Sequence, residues 1–165
     1  MIETIHFTLN NEPQELAVDV CCSLADLLRD QCGITSVKQG CGSGACGGCT
    51  VLVDGRAIDS CLYLAVWAKG RNILTVEGLK QGNCLHPIQQ AFIDEAAVQC
   101  GFCTPGIIMS AVEALSEGRI YTRQELRQLI SGHLCRCTGY ENIINALEKA
   151  MYLMYGEKAK EGSAK

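Results

Sequence analysis

The spacing of apolar residues changes period partway along the chain. Near the N-terminus Ile5, Phe7 and Leu9 alternate with Thr4, His6 and Thr8, and Leu16, Val18 and Val20 alternate again after a turn around Asn10 to Pro13. A period of two puts every second side chain on one face, so the opening predicts a hairpin with one half-buried face. Ser23 is a suitable N-cap for a short helix that buries Leu24, Leu27 and Leu28 and stops near Gly33. Thr50-Val51-Leu52-Val53 followed by Asp54-Gly55 predicts a second hairpin, and Ile73 to Val76 a further strand. Downstream the period becomes helical. Ile88, Phe92 and Ile93 form one stripe, and Ile107, Ile108, Ala111, Ala114 and Leu115 another. Leu126, Leu129 and Ile130 form a third, and Ile143, Ile144, Leu147, Ala150, Met151 and Met154 a fourth. Stripes of this kind are the core of a helical bundle rather than a cofactor pocket.

The change of period falls at Glu77 to Asn83, where glycines and polar residues interrupt the pattern. The reading is therefore α+β: a strand-rich domain over 1–77, a linker over 78–83, a helical domain over 84–155 and a disordered tail over 156–165. Hydrophobic residues make up 48% of the chain, enough for a core, yet no apolar run approaches the ~20 residues that span a bilayer. A net charge of -4 offers no basic footprint, which excludes nucleic acid as an expected partner. The N-terminus lacks a basic segment, an apolar stretch, a cleavage site and a twin arginine, so a soluble, cytoplasmic protein is expected.

Cysteine usage changes this picture most. Of 12 cysteines, Cys41, Cys46, Cys49 and Cys61 form one quartet, and Cys100, Cys103, Cys135 and Cys137 another. Four thiolates are the number that holds one iron–sulfur cluster, and the opening C-x4-C-x2-C is the plant-type spacing of a [2Fe–2S] site. A disulfide scaffold would need a short secreted chain with evenly distributed cysteines, and a reducing compartment opposes it. Cys21, Cys22, Cys32 and Cys84 have no paired spacing and receive no role.

Glycines crowd the segment Gly40 to Cys49 and allow positive φ and close backbone approach, so that N–H groups can face bridging sulfides. The letters Gly42-x-Gly44-x-x-Gly47 match a dinucleotide fingerprint, but no strand precedes them, no helix follows and Cys46 lies inside, so that reading fails. For the second quartet a structural zinc site competes, because four-cysteine tetrahedra also use C-x2-C pairs. Cys135-Arg136-Cys137 is not such a pair, and two helices rather than a ribbon separate the halves, so cluster ligation leads. A thioredoxin-type pair at Cys100 and Cys103 lacks its βαβ surroundings. His6, His86 and His133 have no ligand spacing and are read as surface or packing residues. No nucleophile triad, carboxylate pair or P-loop stands in a supporting context, so no catalytic residue is expected on this chain.

Several segments carry a resemblance beyond spacing: Val37-Lys38-Gln39-Gly40-Cys41, Gly47-Gly48-Cys49-Thr50-Val51, Asp59-Ser60-Cys61, Val98 to Gly106 and Leu134 to Tyr140. Together they resemble the small iron–sulfur subunit of the molybdenum hydroxylases, over about Ile2 to Tyr155. The stretch Ala57 to Ala65 resembles in particular the bacterial xanthine dehydrogenases. The resemblance implies a β-grasp ferredoxin domain followed by an all-α four-helix domain, with one [2Fe–2S] cluster in each. It also implies a large molybdenum–pterin subunit, whose molybdopterin the residues matching Gln99 and Cys137 would reach, and an FAD subunit near the first cluster. The assembly would be a heterotrimer or a dimer of heterotrimers that passes single electrons onward to flavin and NAD. Small subunits of enzymes for aldehydes, nicotinate, carbon monoxide or aromatic thioesters look similar, so the substrate stays open. An independent ferredoxin-like carrier is the other reading.

Overall fold

The computed structural model describes residues 1–156. The tail expected from Gly156 onward therefore lies, apart from Gly156 itself, outside the described residues.

The N-terminal half is a five-stranded mixed sheet in the order β2-β1-β5-β3-β4, a β-grasp arrangement. β1 (Ile2–Leu9) and β2 (Glu12–Asp19) pair antiparallel, β3 (Thr50–Val53) and β4 (Arg56–Asp59) do the same, and β5 (Asn72–Leu74) lies between, parallel to β1. Both hairpins turn on residues that tolerate left-handed backbone: Asn10 and Asn11 at φ 51° and 69°, Asp54 and Gly55 at φ 49° and 82°. The first turn is tighter than the sequence predicts. Pro13 lies inside β2 opposite Thr8, which it can do because β2 is an edge strand where no donor is missed.

Alternation buries Ile5, Phe7, Leu9 and Val18 beneath α1 (Leu24–Asp26), which continues as a π-helical turn over Leu27–Gln31. Ser23 caps α1 as expected, its hydroxyl accepting from the Asp26 amide at 3.1 Å, and Leu24, Leu27 and Leu28 are fully buried. Widening to a π turn was not legible in the sequence.

Four helices follow: α2 (Pro87–Asp94), α3 (Thr104–Ser116), α4 (Arg123–Leu129) and α5 (Glu141–Tyr155). Ile88, Phe92, Ile107, Leu115, Leu126, Ile143 and Leu147 meet in their core, and each comes from a predicted stripe. Ile93 is the exception: it is exposed on the outer side of α2. His86 and Thr122 open α2 and α4 with capping boxes completed by Gln89 and Glu125, which satisfies N–H groups that a helix end leaves free.

The two halves are pressed together. Leu52 belongs to the helical core, and Ala57, Leu74 and Val76 pack against it, so one face of the sheet is the floor of the bundle. The boundary segment is itself ordered, with a 3-10 turn over Val76–Leu79 and an isolated bridge between Gln81 and Cys84. Thr75 ties it to the first hairpin, donating its amide to Asn10 Oδ1 at 2.8 Å and accepting from Asn10 Nδ2 at 3.0 Å.

Candidate metal centres

Three cysteines of the first quartet, Cys41, Cys46 and Cys49, lie on a loop that starts after buried Val37 and leads into β3, and Cys61 lies in the 3-10 turn that follows β4. Lys38 N–H donates to the Gly48 carbonyl at 3.0 Å, closing the loop at its base, and Arg29 Nη1 donates to the Val37 carbonyl at 2.6 Å. Within it Gly44 and Gly47 hold φ 72° and 66°, and a Cβ at Gly44 would stand only 2.4 Å from Leu62. Turned in this way, the amides of Ser43 and Ala45 donate to Cys41 Sγ at 3.4 and 3.2 Å. These N–H groups, that of Ser43 foremost, together with the Ser43 hydroxyl hold the exposed Cys41 thiol down at about 6. Cys49, buried at the start of the sheet, goes the other way: loss of solvent pushes it up to about 11. Ser60 supports this inner side, donating its hydroxyl to the Cys49 carbonyl at 2.7 Å.

The second quartet sits where two helices begin. Cys103 is the N-cap of α3, and the Cys135 to Tyr140 loop leads into α5. Cys100 and Cys137 lie on the exposed side with their sulfurs 3.6 Å apart. Cys103 lies beneath them, and burial, reinforced by the nearby Cys135, pushes it up to about 12. Burial also disfavours the Cys135 thiolate, but the Thr138 hydroxyl at 3.1 Å and neighbouring N–H groups outweigh it and leave this thiol below its usual value. Tyr140 braces the loop: its hydroxyl accepts from the Cys135 amide at 2.8 Å and donates to the His133 carbonyl at 3.0 Å.

Both quartets are gathered as pairs. Cys41 faces Cys46 and Cys49 faces Cys61; Cys100 faces Cys137 and Cys103 faces Cys135. Two irons that take two thiolates each require this pattern, whereas a zinc tetrahedron draws all four to one point. Among the described residues no three His, Cys, Asp or Glu side chains converge in that second manner. The donors fit a [2Fe–2S] group. Backbone N–H groups lower the pKa of exposed Cys41 and Cys100, and burial raises that of Cys49 and Cys103.

The seam between the sites was not legible in the sequence. Leu134 N–H donates to the Cys46 carbonyl at 3.0 Å, joining a residue next to Cys135 to a cysteine of the first quartet. His133, 6% exposed, fills the seam beside Gly47 and shares a 2.8 Å hydrogen bond with Ser110 of α3. Burial lowers its pKa, which favours the neutral ring. Gly47 and Gly106 make the approach possible: a Cβ at Gly47 would stand 2.3 Å from His133 Nδ1, and one at Gly106 2.0 Å from the Gly47 carbonyl oxygen. Gln99 is exposed beside Cys100, and Cys21, Cys22, Cys32 and Cys84 are free thiols in neither quartet.

Comparison with known proteins finds two iron–sulfur domains. Residues 7–72 match the model of a 2Fe-2S iron-sulfur cluster binding domain, and residues 75–148 that of a [2Fe-2S] binding domain. The chain is 52% identical to the xanthine dehydrogenase iron-sulfur-binding subunit of Escherichia coli O157:H7, over 87% of this chain and 91% of that subunit. It is 48% identical to the caffeine dehydrogenase subunit gamma of Pseudomonas sp. strain CBB1, over 87% of this chain and 88% of that one. Among solved structures it resembles quinoline 2-oxidoreductase from Pseudomonas putida 86, with TM-score 0.88, 45% identity and coverage of 94% of this chain and 98% of that chain.

Proposed function

Because the chain belongs to the small [2Fe–2S] iron–sulfur subunits of the molybdenum hydroxylases, we propose that it relays single electrons between a molybdenum–pterin subunit and an FAD subunit of a purine-oxidising complex, with xanthine as substrate. The ligands in this reading are Cys41, Cys46, Cys49 and Cys61 in residues 1–77, and Cys100, Cys103, Cys135 and Cys137 in residues 84–155.

Bound to these thiolates, two clusters supply carriers that accept one electron at a time, which divides the two electrons of a substrate oxidation. The chain's own residues determine how well such carriers are held and connected. Buried Cys49 and Cys103 anchor each site in the interior, while exposed Cys41, Cys100 and Cys137 leave one edge of each open to a partner. The observation that carries the reading is the Leu134 N–H to Cys46 carbonyl hydrogen bond. It connects a ligand of one quartet, through one peptide unit and one 3.0 Å contact, to a ligand of the other.

Gln99 and Cys137 are assigned to the molybdopterin side. Both are exposed, and Val98 and Leu134 near them present apolar surface at 41% and 62% exposure, as an edge covered by a larger subunit would. Cytoplasmic residence and assembly as a heterotrimer or a dimer of heterotrimers belong to the same proposal. None of the described helices is long and apolar enough to cross a membrane.

Xanthine is favoured over other substrates because two of the similar proteins, at 52% and 48% identity, are named for the purines xanthine and caffeine. The test is purification of the chain with its accompanying polypeptides, followed by assay with xanthine, caffeine, an aldehyde and nicotinate. Co-purification of large molybdenum and FAD subunits with xanthine oxidation is the expected result. Oxidation of another compound but not xanthine refutes the substrate assignment. A stable monomer that reduces soluble acceptors favours the independent carrier.

A further inference from the structure

We propose that Phe102, carried by the loop of the second quartet, closes the site of the first: it is a positioning residue that keeps water from the Cys46 edge and so sets the first centre's reduction potential. This rests on the relay reading above.

Phe102 lies between Cys100 and Cys103, and its backbone serves its own site, donating its N–H to the Cys100 thiol. Its side chain points elsewhere. A Cβ at Gly40 would stand 3.3 Å from Phe102 Cε1 and 3.0 Å from Cys46 Sγ, and a Cβ at Gly48 would stand 3.5 Å from the same ring carbon. Two glycines at either end of the first ligand loop thus offer bare backbone to this ring. Gly101 at φ 80° makes the turn immediately before it.

Packing does not explain the placement. Phe102 belongs to neither hydrophobic core and is 44% exposed, so half of a large apolar ring is spent over the loop while half stays in solvent. Reduction adds a negative charge to an already anionic, thiolate-ligated centre, and water stabilises the more charged form. An apolar cover therefore disfavours reduction, because burial and dielectric are among the factors that set such potentials.

The test is an electron paramagnetic resonance redox titration of the assembled complex, with signals assigned by Cys46→Ala and Cys103→Ala. Phe102→Ala should make the first centre easier to reduce by about tenfold in its one-electron equilibrium, ~59 mV. The second centre, whose loop carries the substitution, should move less. Phe102→Leu keeps an apolar cover and should stay near the parent. If Phe102→Ala does not assemble, Phe102→Val, which shortens the reach, must move the first centre in the same direction. An unmoved first centre, or an equal or larger shift at the second, overturns the inference while leaving the relay intact. A parent complex without two signals overturns both.

Discussion

The two quartets suit the same kind of group by different means. The first is mostly local: one glycine-rich loop brings Cys41, Cys46 and Cys49 together, Cys61 follows a hairpin later, and the donors to Cys41 Sγ, two backbone amides and the Ser43 hydroxyl, lie within that same loop. The second is assembled across the bundle, with Cys100 and Cys103 at the start of α3 and Cys135 and Cys137 ahead of α5, and a side chain, Thr138, supplies a hydrogen bond to sulfur. A loop that uses its own backbone needs glycine and little else, whereas a site made from helix ends depends on the packing of those helices. The first site should therefore tolerate damage to the bundle better than the second, except at the seam where they touch.

The seam offers the strongest way to break this comparison. Gly106→Ala places a Cβ 2.0 Å from the Gly47 carbonyl oxygen, which is backbone and cannot swing aside. Overpacking of this kind costs about 1–3 kcal/mol or more, and thermal unfolding together with resonance spectra should show lower stability and both signals disturbed. Cys46→Ala and Cys103→Ala come next and should each abolish one signal and leave the other. Loss of both signals from either change would mean that the sites do not form separately.

Smaller substitutions sharpen the contrast. Thr122→Ala removes the α4 cap and should lower stability by about 1 kcal/mol, read by denaturant unfolding, with the second signal broadening before the first. Thr138→Val removes the 3.1 Å hydroxyl contact to Cys135 Sγ and, with it, the 3.1 Å bond from the Tyr140 amide to the same oxygen. Without that donor the reduced, more negative form is less favoured, so the second centre should shift to lower potential by at most about tenfold in its equilibrium, ~59 mV. The first centre, which Thr138 does not touch, should not respond.

Local features were legible in the sequence because their causes are local. Alternation at Ile5, Phe7 and Leu9, the Asp54-Gly55 turn and the Ser23 cap each depend on a few neighbouring residues, and the helical stripes needed only their own period. Spacing alone proposed the two quartets, and the presence of two [2Fe–2S] domains was legible with them, since residues 7–72 and 75–148 match models of such domains. What the sequence did not reveal is the contact between the halves. His133 reads as an ordinary histidine, yet it is buried in the seam because Ser110, far away in the chain, meets its ring there. Gly106 looks like a weak residue near the start of a helix, and only the closeness of Gly47 explains it. The sole warning was the glycine itself, placed where a helix would gain from alanine. Pro13 was misplaced for a similar reason: a proline suits a turn or an edge strand, and only the sheet order decides which.

Iron content and spectra of the anaerobically purified complex test the central claim most directly. Two irons for each of the two matched domains predict four per chain, with inorganic sulfide in equal amount and two distinct signals after reduction. Half that iron with one signal, or zinc in place of iron at the second quartet, would contradict it.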